Sequence, residues 1–270
     1  MMIIEMIYCT DTGRIRKHNE DCIAGDKKIG LAILADGMGG YQAGEIASEM
    51  AVSTIMNYMK TPAKSNIERQ TNHRYHPDTV RLEQAVLKAN QVIYDAAEKN
   101  SEYQGMGTTV VATLFHNNCV SIAHVGDSRL YRIRKNSLQQ VTKDHSVLQE
   151  LIDCGFYTSE QARHSPNRNL VTRALGVGQE VNVEIQEQSI LTQDIYLLCS
   201  DGLNDMLEDK HINSIIQTSD TLEQAATSLV SAANSKGGND NISLILIRPL
   251  EMITKPSLNW FNRFISLFLK

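Results

Sequence analysis

Apolar runs of strand length recur along the chain, at "IIEMIYCT" (3–10), "LAILA" (31–35), "TTVVATLF" (108–115), "VSIAHVG" (120–126), "LYRIR" (130–134), "IYLLCS" (195–200) and "ISLILI" (242–247). Their β-branched content and the turn residues around them predict strands. Helical spacing predicts a pair of helices over 42–60 and about 79–99, between the second and third strands. It also predicts a short helix over 145–153 with Gly155 as C-cap, and a late helix near 221–235 opened by Asp220 and Glu223 at capping-box spacing. In the second helix Leu82, Ala85, Val86, Ala89, Ile93 and Ala97 fall on one face, and such a stripe must lie on something. Residues 61–78 are polar, carry two prolines and read as a loop. The three central strands follow one another through short turns, which implies antiparallel pairing. Helices come in clusters instead of alternating with strands, which argues against a doubly wound parallel sheet. The pattern predicts an α+β fold, β-rich at the centre with helices outside.

Composition narrows the classes. At 270 residues, with 42 % hydrophobic and 21 % charged residues, the chain suits one large domain or two small ones. The net charge of −5 gives no basic footprint, so nucleic acid is not an expected partner. The cysteines, Cys9, Cys22, Cys119, Cys154 and Cys199, lie far apart without a C-x-x-C, which points to neither a disulfide framework nor a zinc knuckle. The start lacks the basic and apolar pattern of a secretory signal, and no apolar stretch reaches the roughly 20 residues of a spanning helix. A cytoplasmic location is the expectation.

The candidate chemistry sits at strand ends. "LAILADGMGG" closes a buried-type strand on Asp36 and then Gly37, Gly39 and Gly40, which suits an ion or a phosphate better than a plain turn. "IYLLCSDGLND" ends a strand on Asp201 and Gly202, "VSIAHVGDS" ends one on Gly126 and Asp127, and "GGNDNISLILI" places Asp240 just before one. Clustered carboxylates repel unless something neutralises them. A hard divalent cation would do so, and oxygen ligands without His or Cys favour Mg2+ or Mn2+ over zinc. The spacing leaves open whether these strand ends meet.

The blocks "GRIRKHNED" (13–21), "LADGMGG" (34–40), "GMGTT" (105–109), "HVGDSRLYRIR" (124–134), "DHS" (144–146), "TRALG" (172–176), "CSDGLND" (199–205) and "GGNDNISLI" (237–245) occur in order. Together they resemble the bacterial branch of the metal-dependent type 2C serine/threonine protein phosphatases, over about residues 5–248. The resemblance implies a central sandwich of two antiparallel β-sheets flanked by helix pairs, in α-β-β-α layers, with two Mn2+ or Mg2+ ions at one end. It implies that Asp36 bridges the ions, that Asp201 and Asp240 hold the first, and that Glu20 and the Gly37 carbonyl serve the second. Asp21 would orient metal-bound water. Asp127 and Asp205, with Asp201, would hold a third, weaker ion. Arg16 matches the family's phosphate-binding arginine, whose planar fork fits two phosphate oxygens.

The implied reaction is hydrolysis of phosphoserine and phosphothreonine by direct attack of a hydroxide that bridges the ions. Phosphorylated proteins, the products of a serine/threonine kinase, are the implied partners. The sequence agrees by omission: no cysteine is followed six positions later by arginine, and no D-x-D-x-[TV] supports an aspartyl-phosphate route. Animal members carry a histidine two residues after the bridging aspartate. Met38 stands there in this chain, so the proton donor falls to a metal-bound water, His18 or His145. The catalytic domain is expected over 1–248. Its flap, about 153–176, carries Arg163, Arg168 and Arg173, which could meet an acidic phosphopeptide or lie in a solvated loop. The tail, 249–270, is amphipathic in "SLNWFNRFISLFLK" and could lie on a membrane surface, in a partner's groove or on its own domain. Two rival readings remain. A nucleotide site on "DGMGGYQAGEIASEMA" fails because Gln42 occupies the third glycine position of G-x-G-x-x-G. A phosphoprotein-binding pseudophosphatase is weakened because every expected carboxylate is present.

Overall fold

In the computed structural model the described residues are 2–40, 43–62, 74–158, 161, 165 and 170–252. The helices are α1 (Ala43–Lys60), α2 (Pro77–Lys99), α3 (Val147–Asp153), α4 (Asp201–Asn204), α5 (Asp209–Thr218) and α6 (Leu222–Ser235). One 5-stranded sheet runs in the order β1 (Met2–Asp11), β11 (Ile242–Met252), β10 (Ile195–Cys199), β7 (Arg129–Arg134) and β8 (Ser137–Gln140). The 6-stranded sheet runs β2 (Asp21–Asp26), β3 (Leu31–Met38), β5 (Val110–His116), β6 (Cys119–Val125) and β9 (Glu184–Ser189), with β4 (Gly107–Thr108) paired to β3. All these pairings are antiparallel.

The core divides into layers that account for the sequence pattern. Leu34, Val111 and Ile122 of one sheet meet Leu130, Tyr196 and Ile245 of the other to form the sandwich interior. On the outer face of the second sheet, Leu31, Ile33 and Ala35 pack under α1 and under the α2 stripe of Leu82, Ala85, Val86, Ala89 and Ile93. On the first sheet's outer face, Leu197, Leu244 and Leu246 pack against α5 and α6 through Ile212, Leu222 and Leu229. Central strands are therefore buried on both faces, which is why "LAILA" and "ISLILI" are continuously apolar instead of alternating. The arrangement is the α-β-β-α sandwich expected from the sequence.

The strands β2, β8 and β9 lacked a sequence signal for one reason. Each lies at a sheet edge and is mostly only half-buried, so no apolar run was needed. Helix α5 packs on the core through Ile212, Ile215 and Ile216, a helical i, i+3, i+4 spacing that the sequence carries but that spans little more than one turn. Helix α2 begins at Pro77, inside the expected loop, because His76 caps it by accepting from Asp78 N. The α6 cap is Thr221, which accepts from Gln224 N, one residue later than the expected Asp220 box. The three central strands do not form one meander: β5 pairs with β6, but β7 crosses to the other sheet at Gly126 (φ 108°), which leaves Asp127 at the crossing.

The last strand runs to Met252, past Arg248. The remainder of the tail, from 253, and the flap residues Arg163 and Arg168 lie outside the described residues. No helix among the described residues is long and apolar enough to cross a membrane.

Candidate active site

The strand ends do meet. Asp36, Asp127, Asp201 and Asp240 open onto one cleft, together with Glu20, Arg16 and the Gly37 backbone. Pairing of β2 with β3 sets Asp21 directly opposite Asp36. The Asp36 backbone is fixed by the "GTT" segment: its carbonyl accepts from Thr109 N at 2.9 Å and Thr108 Oγ1 at 2.8 Å, while its N–H donates to Thr109 Oγ1 at 3.2 Å. Asp201 opens α4 immediately after β10, and Asp240 precedes β11, the neighbouring strand. Asp21 lies behind the cleft wall, where Oδ2 accepts from Ser200 Oγ at 2.8 Å. Asp205 is exposed at the end of α4, and its charge acts on both Asp127 and Asp201.

Two glycines permit close backbone approaches at the site. A Cβ on Gly37 would come within 2.1 Å of the Gly44 carbonyl oxygen and 2.6 Å of that of Glu20, so the bare backbone lets the start of α1 press against β3. A Cβ on Gly202 would meet the Asn241 carbonyl oxygen at 2.0 Å, so glycine there lets Asp201 and Asp240 approach. Asn241, not singled out from the sequence, organises the loop before β2 that carries Arg16 and Glu20. Its Oδ1 accepts from Glu20 N at 2.8 Å, and its Nδ2 donates to the Thr12 and His18 carbonyls at 2.9 Å each. Its place inside "GGNDNISLI" was the available signal.

The electrostatics are those of a site built for cations. Burial, then the charges of Asp21, Asp201, Asp127 and Asp240, hold the Asp36 carboxyl well above the usual range. Burial, then Asp127, Asp205 and Asp240, does the same for Asp201. Glu20 is pushed up by burial against the opposing pull of Arg16. Asp21 Oδ1 and Asp201 Oδ1 are buried without a hydrogen-bond partner among the described residues. Unpartnered carboxylate oxygens in an all-oxygen donor set fit a hard divalent ion, which would relieve both the desolvation and the repulsion.

Arg16 is half-exposed, and its Nη2 donates to Asp240 Oδ2 at 2.7 Å. It therefore stands at the cleft mouth with its charge on a candidate metal ligand. The candidate proton donors are placed elsewhere. His18 is exposed and does not line the cleft. His145 is buried: its Nδ1 accepts from Gly126 N at 3.1 Å, which leaves Nε2 to face Glu184 Oε2 at 3.3 Å. Its role is to hold the loop beside Asp127. Arg173 Nη1 lies 3.3 Å from the same Nε2, so this flap arginine points toward Glu184 in the structure. The flap's end is tied to the site by the Thr108–Leu175 bridge, and Val171 lines the cleft.

Comparison with known proteins agrees with this geometry. The protein phosphatase 2C family matches residues 14–236. A serine/threonine phosphatase stp of Listeria innocua is 38 % identical over 244 residues, covering 89 % of this chain and 94 % of the relative. The crystal structure of the serine/threonine phosphatase PstP/Ppp of Mycobacterium tuberculosis superposes with a TM-score of 0.83 at 32 % identity, covering 93 % of this chain and 100 % of that one. A structure of the PstP catalytic domain in complex with 2 manganese ions gives a TM-score of 0.81 at 32 % identity, with coverage of 93 % and 100 %. In sequence and fold, the chain belongs to the protein phosphatase 2C family.

Proposed function

We propose that this chain is a cytoplasmic phosphatase that removes phosphate from phosphoserine and phosphothreonine on proteins, the substrates of a serine/threonine kinase, by direct attack of water and without a phosphoenzyme. The observation that carries this reading is the meeting of Asp36, Asp201 and Asp240 in one cleft, with a buried carboxylate oxygen left unpartnered. Asp36 would bridge two Mn2+ or Mg2+ ions, Asp201 and Asp240 would hold one, and Glu20 with the Gly37 carbonyl would serve the other. Asp127, Asp201 and Asp205 would hold a weaker third. Bound there, the ions would acidify water and neutralise phosphoryl oxygens.

The chain's own groups supply the rest. Arg16, at the mouth, docks the substrate phosphate by exchanging Asp240 for two phosphate oxygens. Asp21 keeps one oxygen on Ser200 and leaves the other to orient water from behind Asp36. Met38 lines the cleft as an apolar wall and can move no proton, so the proton for the leaving oxygen comes from water. Nothing in the site favours a binding-only regulator. Turnover of a phosphothreonine peptide with and without added Mn2+ tests the proposal: activity in chelated buffer equal to that with Mn2+ would sink it.

A further inference from the structure

The acidic cleft is not the only cluster of metal-ligating side chains. At the start of α2, His76 and Asp78 face His116, the last residue of β5. His76 Nδ1 lies 3.5 Å from Asp78 Oδ2, and His116 Nδ1 lies 3.8 Å from the same oxygen. All three ligand atoms fall within 4.8 Å of one another, and the two imidazole centroids are 4.5 Å apart. Bonds of about 2.0–2.2 Å to a tetrahedral ion set ligand atoms roughly 3.4 Å apart. The two histidine–aspartate separations need to contract by only a few tenths of an ångström.

The hydrogen bonds around His116 fix which nitrogen is available. Thr79 Oγ1 donates to Glu187 Oε1, so its lone pair accepts from Ser121 Oγ at 2.6 Å. Ser121 Oγ, its proton committed to Thr79, then accepts from His116 Nε2 at 2.6 Å. The chain of donors thus places the imidazole proton on Nε2 and leaves Nδ1 as a bare lone pair. That buried Nδ1 has no hydrogen-bond partner among the described residues. A histidine whose outer nitrogen is tied through hydroxyls to a carboxylate, with its inner nitrogen free and facing a second carboxylate, has the surroundings of a metal-bound imidazole.

We propose that His76, Asp78 and His116 form a second metal site, for a borderline transition ion of the Zn2+ class, with water as fourth ligand. Two imidazoles and one carboxylate suit Zn2+ or Co2+, whereas the oxygen-only cleft suits Mn2+ or Mg2+. The sites are separate. Strand β5 runs from beside Thr109 in the cleft to His116, roughly 20 Å at about 3.3 Å per residue. Binding exchanges the 3.2 Å cap from Asp78 N to His76 Nδ1 for a coordinate bond, and it clips the first turn of α2 to the end of β5. The ion would act on stability, not on the phosphoryl group.

The full chain, saturated with Mn2+, is titrated with Co2+ and then Zn2+. Mn2+ stands lowest in the Irving–Williams order and leaves a nitrogen site open. One equivalent of Co2+ should give the visible spectrum of a four-coordinate nitrogen/oxygen site, Zn2+ should displace it, and Zn2+ should raise the Tm. Asp36→Asn should retain this equivalent. His76→Ala and Asp78→Asn, both at half-exposed positions and safer than the mostly covered His116, should weaken it by about a hundredfold or more, and Thr79→Val by about tenfold through the lost relay. Mn2+-supported phosphatase activity should not change in His76→Ala. Unchanged Zn2+ affinity in His76→Ala and Asp78→Asn would overturn the proposal. So would Zn2+ that binds only by displacing Mn2+, or no added equivalent at all, which would leave the cluster an ordinary histidine–aspartate pair.

Discussion

Asp36 and Asp201 sit where a carboxylate's charge is least tolerated: beside each other, beside Asp127, and drawn out of water. Replacing either with Asn removes a repulsive charge and a metal ligand together, so the two consequences separate. In chelated buffer Asp36→Asn should melt at the same temperature as the parent or a few degrees higher, since about 1 kcal/mol corresponds to roughly 2–4 °C in a domain of this size. With Mn2+ its kcat should fall about a thousandfold or more, the scale of losing several kcal/mol of charge stabilisation. Melting curves and steady-state rates on the same preparation check both halves. Arg16 tests docking apart from chemistry. Arg16→Ala should lower kcat/KM about ten- to a hundredfold, mainly through KM, as expected for one charge-assisted contact. Arg16→Lys should recover part of the loss, because a point charge cannot form the fork. Its pairing with Asp240 adds a condition: Mn2+ must be titrated separately for each variant, since losing Arg16 alters a candidate ligand's partner.

At the scale of elements, the cleft depends on how the loop from Thr12 to Glu20 is fastened to β11. Asn241 makes the fastening through three hydrogen bonds from an almost fully buried position. Asn241→Ala should cost about 1–3 kcal/mol by leaving buried backbone groups unpaired. It should also raise the Mn2+ concentration needed for half-maximal activity, because Glu20 loses its anchor. If high Mn2+ restores the rate to near the parent value, the loop's order and not the chemistry was lost. An unaltered Mn2+ requirement would show that Asn241 supports the fold alone.

For the whole molecule, the buried carboxylates link stability to pH. Burial, countered by its hydroxyl hydrogen bonds, pushes Asp21 up to about 6, and burial with Asp144 nearby pushes Asp127 up to about 7. An unfolded aspartate titrates near 3.9. Between these values the folded chain binds more protons than the unfolded one, so this stabilising contribution is complete below about 4 and is lost as pH rises through 6 and 7. In chelated buffer the Tm should therefore fall from pH 5.5 to pH 8. Added Mn2+ should recover it at pH 8, where the carboxylates are charged and bind best. A chelated Tm that does not fall across this interval would mean that the carboxylates are already ionised in the metal-free fold.

Local periodicity predicts the two-sided burial of the central strands and the paired helices, and a carboxylate close to glycine at the end of an apolar run marks the candidate acids. "LAILA" must be covered on both faces wherever it lies, and Asp36 follows it directly, although the strand itself runs on to Met38. Edge strands such as β9 carry no such pattern, since an edge can stay half-wet. Contacts between distant segments place Asp21 opposite Asp36, send β7 from the β5–β6 pair at Gly126 to the other sheet, and let Asn241 fasten a loop more than two hundred residues before it in sequence. Local composition leaves such contacts unspecified. The same holds for His76, Asp78 and His116: two of them start a helix, the third ends a strand, and packing of that helix on the sheet brings their ligand atoms together.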